Sequence, residues 1–189
     1  MQSIYRHYLA SIFATALLLA ASSAAVAQSG ASDDDKHFVD AALKGGMAEI
    51  ELGQLAVKKG NSEDVKQFGQ RMIEDHTRLG NKMKTVAGEI GVKPPEMTTA
   101  GDMALKAELE VLSGDAFDKA YISAMVKDHE EALRDFRKEA ADGTFPKVKI
   151  AAREGETVIG HHLAEIRKIA QAHNVQVSVN RRWSGLRGE

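Results

Sequence analysis

Apolar residues recur at every third or fourth position along most of this chain, which is the period of an α-helix. The three prolines, Pro94, Pro95 and Pro146, mark two breaks in the pattern. We therefore predict four long helices, at residues 34–59, 62–90, 115–142 and 146–174. This pattern is typical of an all-α four-helix bundle.

Residues 91–114 form a long connection between the second and third predicted helices, with a short helix predicted at 102–112. A connection of this length can cross the bundle from end to end. It would then make the second and third helices parallel, as in ferritin-like folds. The alternative is a shorter path in an up-and-down arrangement. We predict a ferritin-like bundle and leave the direction of these two helices open.

The motif Met-(Ile/Val)-x-Asp-His occurs twice, at residues 72–76 and 125–129. An aromatic residue precedes each copy by four positions, Phe68 in the first and Tyr121 in the second. Two helical hairpins that carry the same ladder would form a bundle with pseudo-twofold symmetry. The repeat therefore predicts two related helices that direct a histidine to a shared layer.

Polar residues at core positions are the most informative feature of the predicted helices. His76, His129 and His162 each lie on the apolar stripe of a different helix, and Glu49 lies on the first helix among small residues. All four fall near the middle of their helices. We expect one glutamate and three histidines to share a single layer inside the bundle.

Such a layer can hold a metal. Three neutral imidazoles and a carboxylate suit Zn²⁺, Cu²⁺ or Fe²⁺. The preceding aspartates, Asp75 and Asp128, could hold the second ring nitrogens. Met72 and Met125 lie near the layer, where thioethers would favour Cu(I), although methionine at helical spacing normally fills the core.

The competing interpretation is a buried hydrogen-bond network that fixes the helix register, with Glu49 accepting from the histidines and an outer surface binding a partner. A third interpretation is a metal-dependent oxidase. The sequence does not contain the Glu-x-x-His motif of di-iron bundles, because Ile73, Val126 and Ile159 stand three residues before the histidines. The chain has no catalytic triad pattern and no phosphate-binding loop. The sequence leaves enzymatic activity open and favours a non-enzymatic protein with no catalytic residues.

The N-terminus has the features of a secretory signal peptide. Arg6 and His7 precede the apolar run LASIFATALLLAA, and Ala25-Val26-Ala27 forms a cleavage site. We predict a signal peptide at residues 1–27, cleaved after Ala27, and a periplasmic location. The bundle domain would then cover residues 28–174, and residues 175–189 would form a basic tail.

Composition narrows the classes of partner. The chain has no cysteine, which excludes disulfides and thiolate metal sites, and its formal net charge of −2 disfavours a general nucleic-acid binder. No segment after the signal peptide is apolar enough for integral membrane insertion. The sequence identifies no protein partner and leaves homo-oligomer formation open.

Four segments resemble the bacterial "domain of unknown function 4142" family: MAEIELGQLA at 47–56, F-x-x-x-MIEDH at 68–76, SGDAFDKAYISAMVKDHEEAL at 113–133 and IGHHL at 159–163. The resemblance implies an exported, ferritin-like helical bundle without an established activity. It implies that the paired Asp-His motifs of the family correspond to Asp75-His76 and Asp128-His129. Its glutamate on the first helix would be Glu49, and its final histidine His162.

Overall fold

The computed structural model describes residues 30–176, so the predicted signal peptide and nearly all of the predicted tail lie outside the described residues. Within this range every element of regular secondary structure is an α-helix, and there is no strand. The helices are α1 Asp33–Lys59, α2 Glu63–Ile90, α3 Ala100–Val111, α4 Gly114–Asp142 and α5 Pro146–Ala172. The all-α prediction is confirmed. The count of four is not, because α3 in the long connection is a fifth helix.

The helix ends follow local sequence signals. Ser32 and Asp35 form a reciprocal capping box at the start of α1. Thr99 and Asp102 form another at the start of α3. Gly91 ends α2 with a φ of 74°, a left-handed conformation that glycine adopts without a steric cost.

Contacts at the two ends of the bundle fix the helix directions. The backbone N–H groups of Asn61 and Ser62 donate to Asp118 at 2.9 Å each, so α2 and α4 begin at the same end. At the other end, the N–H of Thr144 donates to Asp35 at 2.9 Å. The connection from α2 to α4 therefore crosses the bundle from end to end, and α2 and α4 run parallel.

The helices pack as two antiparallel hairpins. Helix α1 lies mainly against α2, and α4 lies mainly against α5. The hairpins meet through α2 with α5 and α1 with α4, which places α1 diagonally opposite α5. Helices α1 and α2 approach closely at Gly53, where an added Cβ would lie 2.6 Å from the carbonyl oxygen of Gly69.

The core lies between these helices, and its largest fully buried side chains include Tyr121, Phe68, Phe117, Met72 and Met125. Among residues 30–176, none of the helices combines the length and apolar character that a membrane crossing requires.

Candidate functional site

Three histidines from three helices meet inside the bundle. His76 on α2, His129 on α4 and His162 on α5 are 7%, 1% and 1% exposed. Their ring centroids lie 5.4 to 6.0 Å apart. One ring nitrogen from each lies within 4.8 Å of the other two. The structure therefore brings all three imidazoles together in one layer, as expected from the sequence.

Hydrogen bonds orient two of the rings. Nδ1 of His129 lies 3.0 Å from the carbonyl oxygen of Met125, which can only accept, so Nδ1 carries the proton. Nε2 of His162 lies 2.8 Å from a carboxylate oxygen of Asp75 and donates to it. The other ring nitrogens, His129 Nε2 and His162 Nδ1, therefore present lone pairs. Both are buried without a hydrogen-bond partner, as is His76 Nε2.

The imidazoles are held in the neutral form that binds metals. Burial, reinforced by repulsion from the other two rings, lowers the pKa of His76 to about 3. Burial also lowers the pKa of His129 to about 4 and the pKa of His162 below its ordinary value. At neutral pH the three lone pairs are available to a cation.

Glu49 is 3% exposed but lies to one side of the three histidines. Its Oε1 is 3.6 Å from Nδ1 of His129, and it forms a close group with His129 and Asp128. Burial and a hydrogen bond with Asp128 raise the pKa of Glu49 well above its ordinary value. Glu49 therefore lies apart from the layer of three histidines that the sequence placed it in. Its helix, α1, is diagonally opposite α5, which carries His162.

The two aspartates act across helices. Asp75 precedes His76 in sequence, yet its carboxylate contacts His162 on α5 and also pairs with Arg78. Asp128 is exposed and hydrogen-bonds with Glu49 on α1, whereas the ring of His129 bonds to the carbonyl oxygen of Met125. Consecutive helical residues point about 100° apart, so an aspartate beside a buried histidine faces the neighbouring helix.

The family model "Domain of unknown function (DUF4142)" matches residues 20–169. The chain belongs to the DUF4142 family. The resemblance seen in its four motifs is therefore confirmed. No curated protein matches the sequence.

Two crystal structures share the fold of this DUF4142 protein. A DUF305 fragment from Deinococcus radiodurans is 14% identical, with a TM-score of 0.67 over 76% of this chain and 99% of that chain. A DUF305 protein from Streptomyces coelicolor is 13% identical, with a TM-score of 0.65 over 76% of this chain and 96% of that chain. At this identity the likeness shows the fold alone.

The two candidate methionines of the DUF4142 chain belong to the core. Met72 and Met125 are fully buried in the main apolar cluster, which also contains Phe68 and Tyr121. Their role there is packing, as expected for methionine at helical spacing. Met125 also supplies the carbonyl oxygen that orients His129.

A pocket with about 210 Å³ of space reaches the site, and sequence reasoning missed it. Its walls are largely apolar, and Glu49, His76 and His129 lie among its lining residues. Gly45 and Gly46 line it on α1. Two consecutive glycines inside a helix were the sequence feature that could have indicated the pocket. Glycine inside a helix costs about 1 kcal/mol relative to alanine, so a pair of them indicates a packing or functional role.

A second buried polar cluster lies at the end of the bundle where α4 meets α5. Asp35 accepts hydrogen bonds from Ser32 and Thr144, and these outweigh the effect of burial and lower its pKa. Glu139 is 6% exposed. Burial and a hydrogen bond with Asp35 raise the pKa of Glu139 to about 7. This cluster joins the start of α1 to the turn after α4.

Proposed function

We propose that this DUF4142 protein is exported to the periplasm and binds one transition-metal ion through His76, His129 and His162. One observation carries the proposal: three neutral, buried imidazoles converge, and each has a ring nitrogen without a hydrogen-bond partner. The role that follows is metal handling or protection of the cell envelope under stress. This proposal includes no catalytic reaction at the site.

The donor set selects the class of ion. Three imidazole nitrogens suit Zn²⁺ and Cu²⁺, and Fe²⁺ less well with few carboxylates. Nitrogens around a tetrahedral Zn²⁺ at about 2.0–2.1 Å lie about 3.3 Å apart. The nitrogens here lie within 4.8 Å of one another, so a small inward movement of the rings would bring them to that spacing. Cu(I) is disfavoured because the methionines pack in the core.

The helix arrangement supports a ferritin-like bundle, since α2 and α4 are parallel and the connection crosses the bundle. A di-iron oxidase has little support. Such sites need several carboxylates facing the histidines, and Glu49 forms a close group with only one of them, His129.

The structural alternative, a hydrogen-bond network centred on Glu49, is supported less well. The contact between Glu49 and His129 is 3.6 Å, beyond hydrogen-bond range. A network that fixed register would pair the buried ring nitrogens. Each buried polar group without a partner costs about 1–3 kcal/mol, so three such nitrogens favour a ligand-binding site over a stabilising device.

Calorimetric titration of the metal-free mature protein with Zn²⁺ and Cu²⁺ tests the proposal. We expect one ion per chain, and we expect His162→Ala to abolish tight binding. His161→Ala is the matched control, because His161 is the adjacent histidine and is exposed. Equal loss of binding in both variants would indicate adventitious surface binding, and no binding by the wild type would refute the site.

A further inference from the structure

The candidate site offers a metal fewer ligands than a tetrahedral ion requires. Three histidines supply three nitrogens, whereas Glu49 groups only with His129 and Asp128. Zinc sites with three protein ligands keep the fourth position for water or an exogenous molecule. The fourth position therefore depends on what can reach the histidines from outside.

The pocket reaches the histidines from the α1 side. Its lining includes His76 and His129, on α2 and α4, but not His162 on α5. Glu49 also lies on this lining, and its Oε2 is buried without a hydrogen-bond partner. A molecule in the pocket would thus lie against two of the three imidazoles and against the side of Glu49.

Helical glycines keep the pocket open. A Cβ added at Gly45 would have no heavy atom within 4 Å, and one added at Gly46 would lie 4.0 Å from Nδ1 of His76. The space of about 210 Å³ exceeds the roughly 150 Å³ of an apolar cavity that accepts benzene. Apolar side chains form much of the wall, including Phe38, Ala42, Leu79, Met83, Ala132 and Phe136.

The rim of the pocket sets the charge of the molecule that can bind. Lys82 lies on the rim but pairs with Glu154 at 2.6 Å. The remaining exposed carboxylates there, Asp128, Glu131 and Asp135, repel anions. Apolar walls exclude strongly hydrated ions. Charge and wall chemistry together favour a compact, uncharged molecule.

We propose that the pocket binds a small neutral nitrogen heteroaromatic molecule as the fourth ligand of the metal. This inference rests on the proposed metal site. One ring nitrogen coordinates the metal beside His76 and His129, and the ring lies among the apolar side chains of the pocket. The ring also lies beside Glu49, which lines the same pocket. The site is therefore a ligand receptor as well as a metal site.

Imidazole and Co²⁺ are the probes that test this inference on the mature protein. The visible bands of bound Co²⁺ are recorded first, and imidazole is then added while bound cobalt is measured. We expect the bands to change with cobalt retained. Gly45→Leu should weaken imidazole binding by about tenfold or more by filling the pocket, and Gly45→Ala should have a smaller effect.

Gly88→Leu is the matched control, because Gly88 is an exposed helical glycine on α2 whose added Cβ would meet nothing within 4 Å. It should bind imidazole like the wild type. Retained cobalt bands that do not respond to imidazole, or an equal response in Gly45→Leu and Gly88→Leu, would overturn the pocket inference alone. Absence of cobalt bands in the wild type would overturn the metal site and this inference with it.

Discussion

Nε2 of His162 on α5 lies 2.8 Å from a carboxylate oxygen of Asp75 on α2, 87 residues earlier in the chain. The contact fixes the tautomer of the imidazole, because a carboxylate accepts and the ring must donate. It thereby directs the lone pair of Nδ1 toward the interior. A side chain at the edge of the site thus determines which nitrogen of a buried histidine can bind a cation.

Replacing Asp75 with asparagine should weaken metal binding. The amide group can donate to Nε2 of His162 and stabilise the tautomer that carries its proton on Nδ1. We expect zinc affinity to fall by about 10- to 100-fold, the usual effect of removing an outer partner of a ligating histidine. Calorimetric titration measures it. Arg78→Gln removes the other partner of Asp75 and should leave the affinity within about threefold, whereas equal losses in both variants would contradict the tautomer argument.

Metal should stabilise the folded protein. An ion that binds only the native state at 100 times its Kd adds about 2.7 kcal/mol. We expect Zn²⁺ to raise the melting temperature of the wild type by several degrees and to leave that of the double variant His76→Ala/His129→Ala unchanged. Circular dichroism of both proteins with and without zinc measures the difference. A similar increase in the melting temperature of both proteins would show that zinc binds outside the three-histidine site.

The close crossing of α1 and α2 should not tolerate a side chain at Gly53. An added Cβ would lie 2.6 Å from a backbone oxygen of α2, so the helices must separate. We expect Gly53→Ala to lower the free energy of unfolding by about 1–3 kcal/mol. Gly88→Ala, in open space on α2, should raise it by up to about 1 kcal/mol through helix propensity. Urea denaturation of both variants tests the contrast, and equal values would contradict the close approach.

The hydrogen bond between Asp35 and Glu139 should make the free energy of unfolding depend on pH. The folded protein holds the proton of Glu139 more tightly than the unfolded chain, with a pKa of about 7 against an ordinary 4.5. The contribution of Glu139 is therefore fully present below 4.5 and is lost as pH rises through 7. Asp35, whose pKa is lowered, has the opposite dependence at lower pH and favours folding once it is ionised.

The variant Glu139→Gln isolates this effect. Between pH 5 and 8 the wild type should lose about 1–3 kcal/mol of unfolding free energy relative to the variant. Urea denaturation across that range measures it, and Glu108→Gln, at an exposed position on α3, serves as the control. Parallel pH profiles for the wild type and Glu139→Gln would show that the two carboxyl groups do not share a proton.

Periodicity was sufficient to predict the helices and the convergence of the histidines. Those residues lie near the middle of their helices, where a small error in register still leaves them at one level. The division between Glu49 and the histidines could not be read from spacing, because spacing gives depth and face but not which helices are diagonal. The partners of Asp75 and Asp128 were missed for the same reason, since each lies on another helix.

The pocket and the carboxyl pair needed three-dimensional information as well. Gly45 and Gly46 signal an unusual helix surface, but only packing shows that they border open space. Asp35 and Glu139 are 104 residues apart, and nothing in either local pattern predicts their contact.

Metal analysis by mass spectrometry is the decisive measurement, on protein expressed from the full sequence and purified without an affinity tag or chelator. The proposed three-histidine site predicts close to one equivalent of zinc or copper per chain, and loss of that metal in the double variant His76→Ala/His129→Ala. Metal-free protein that also fails to take up zinc, copper or iron on titration would contradict it.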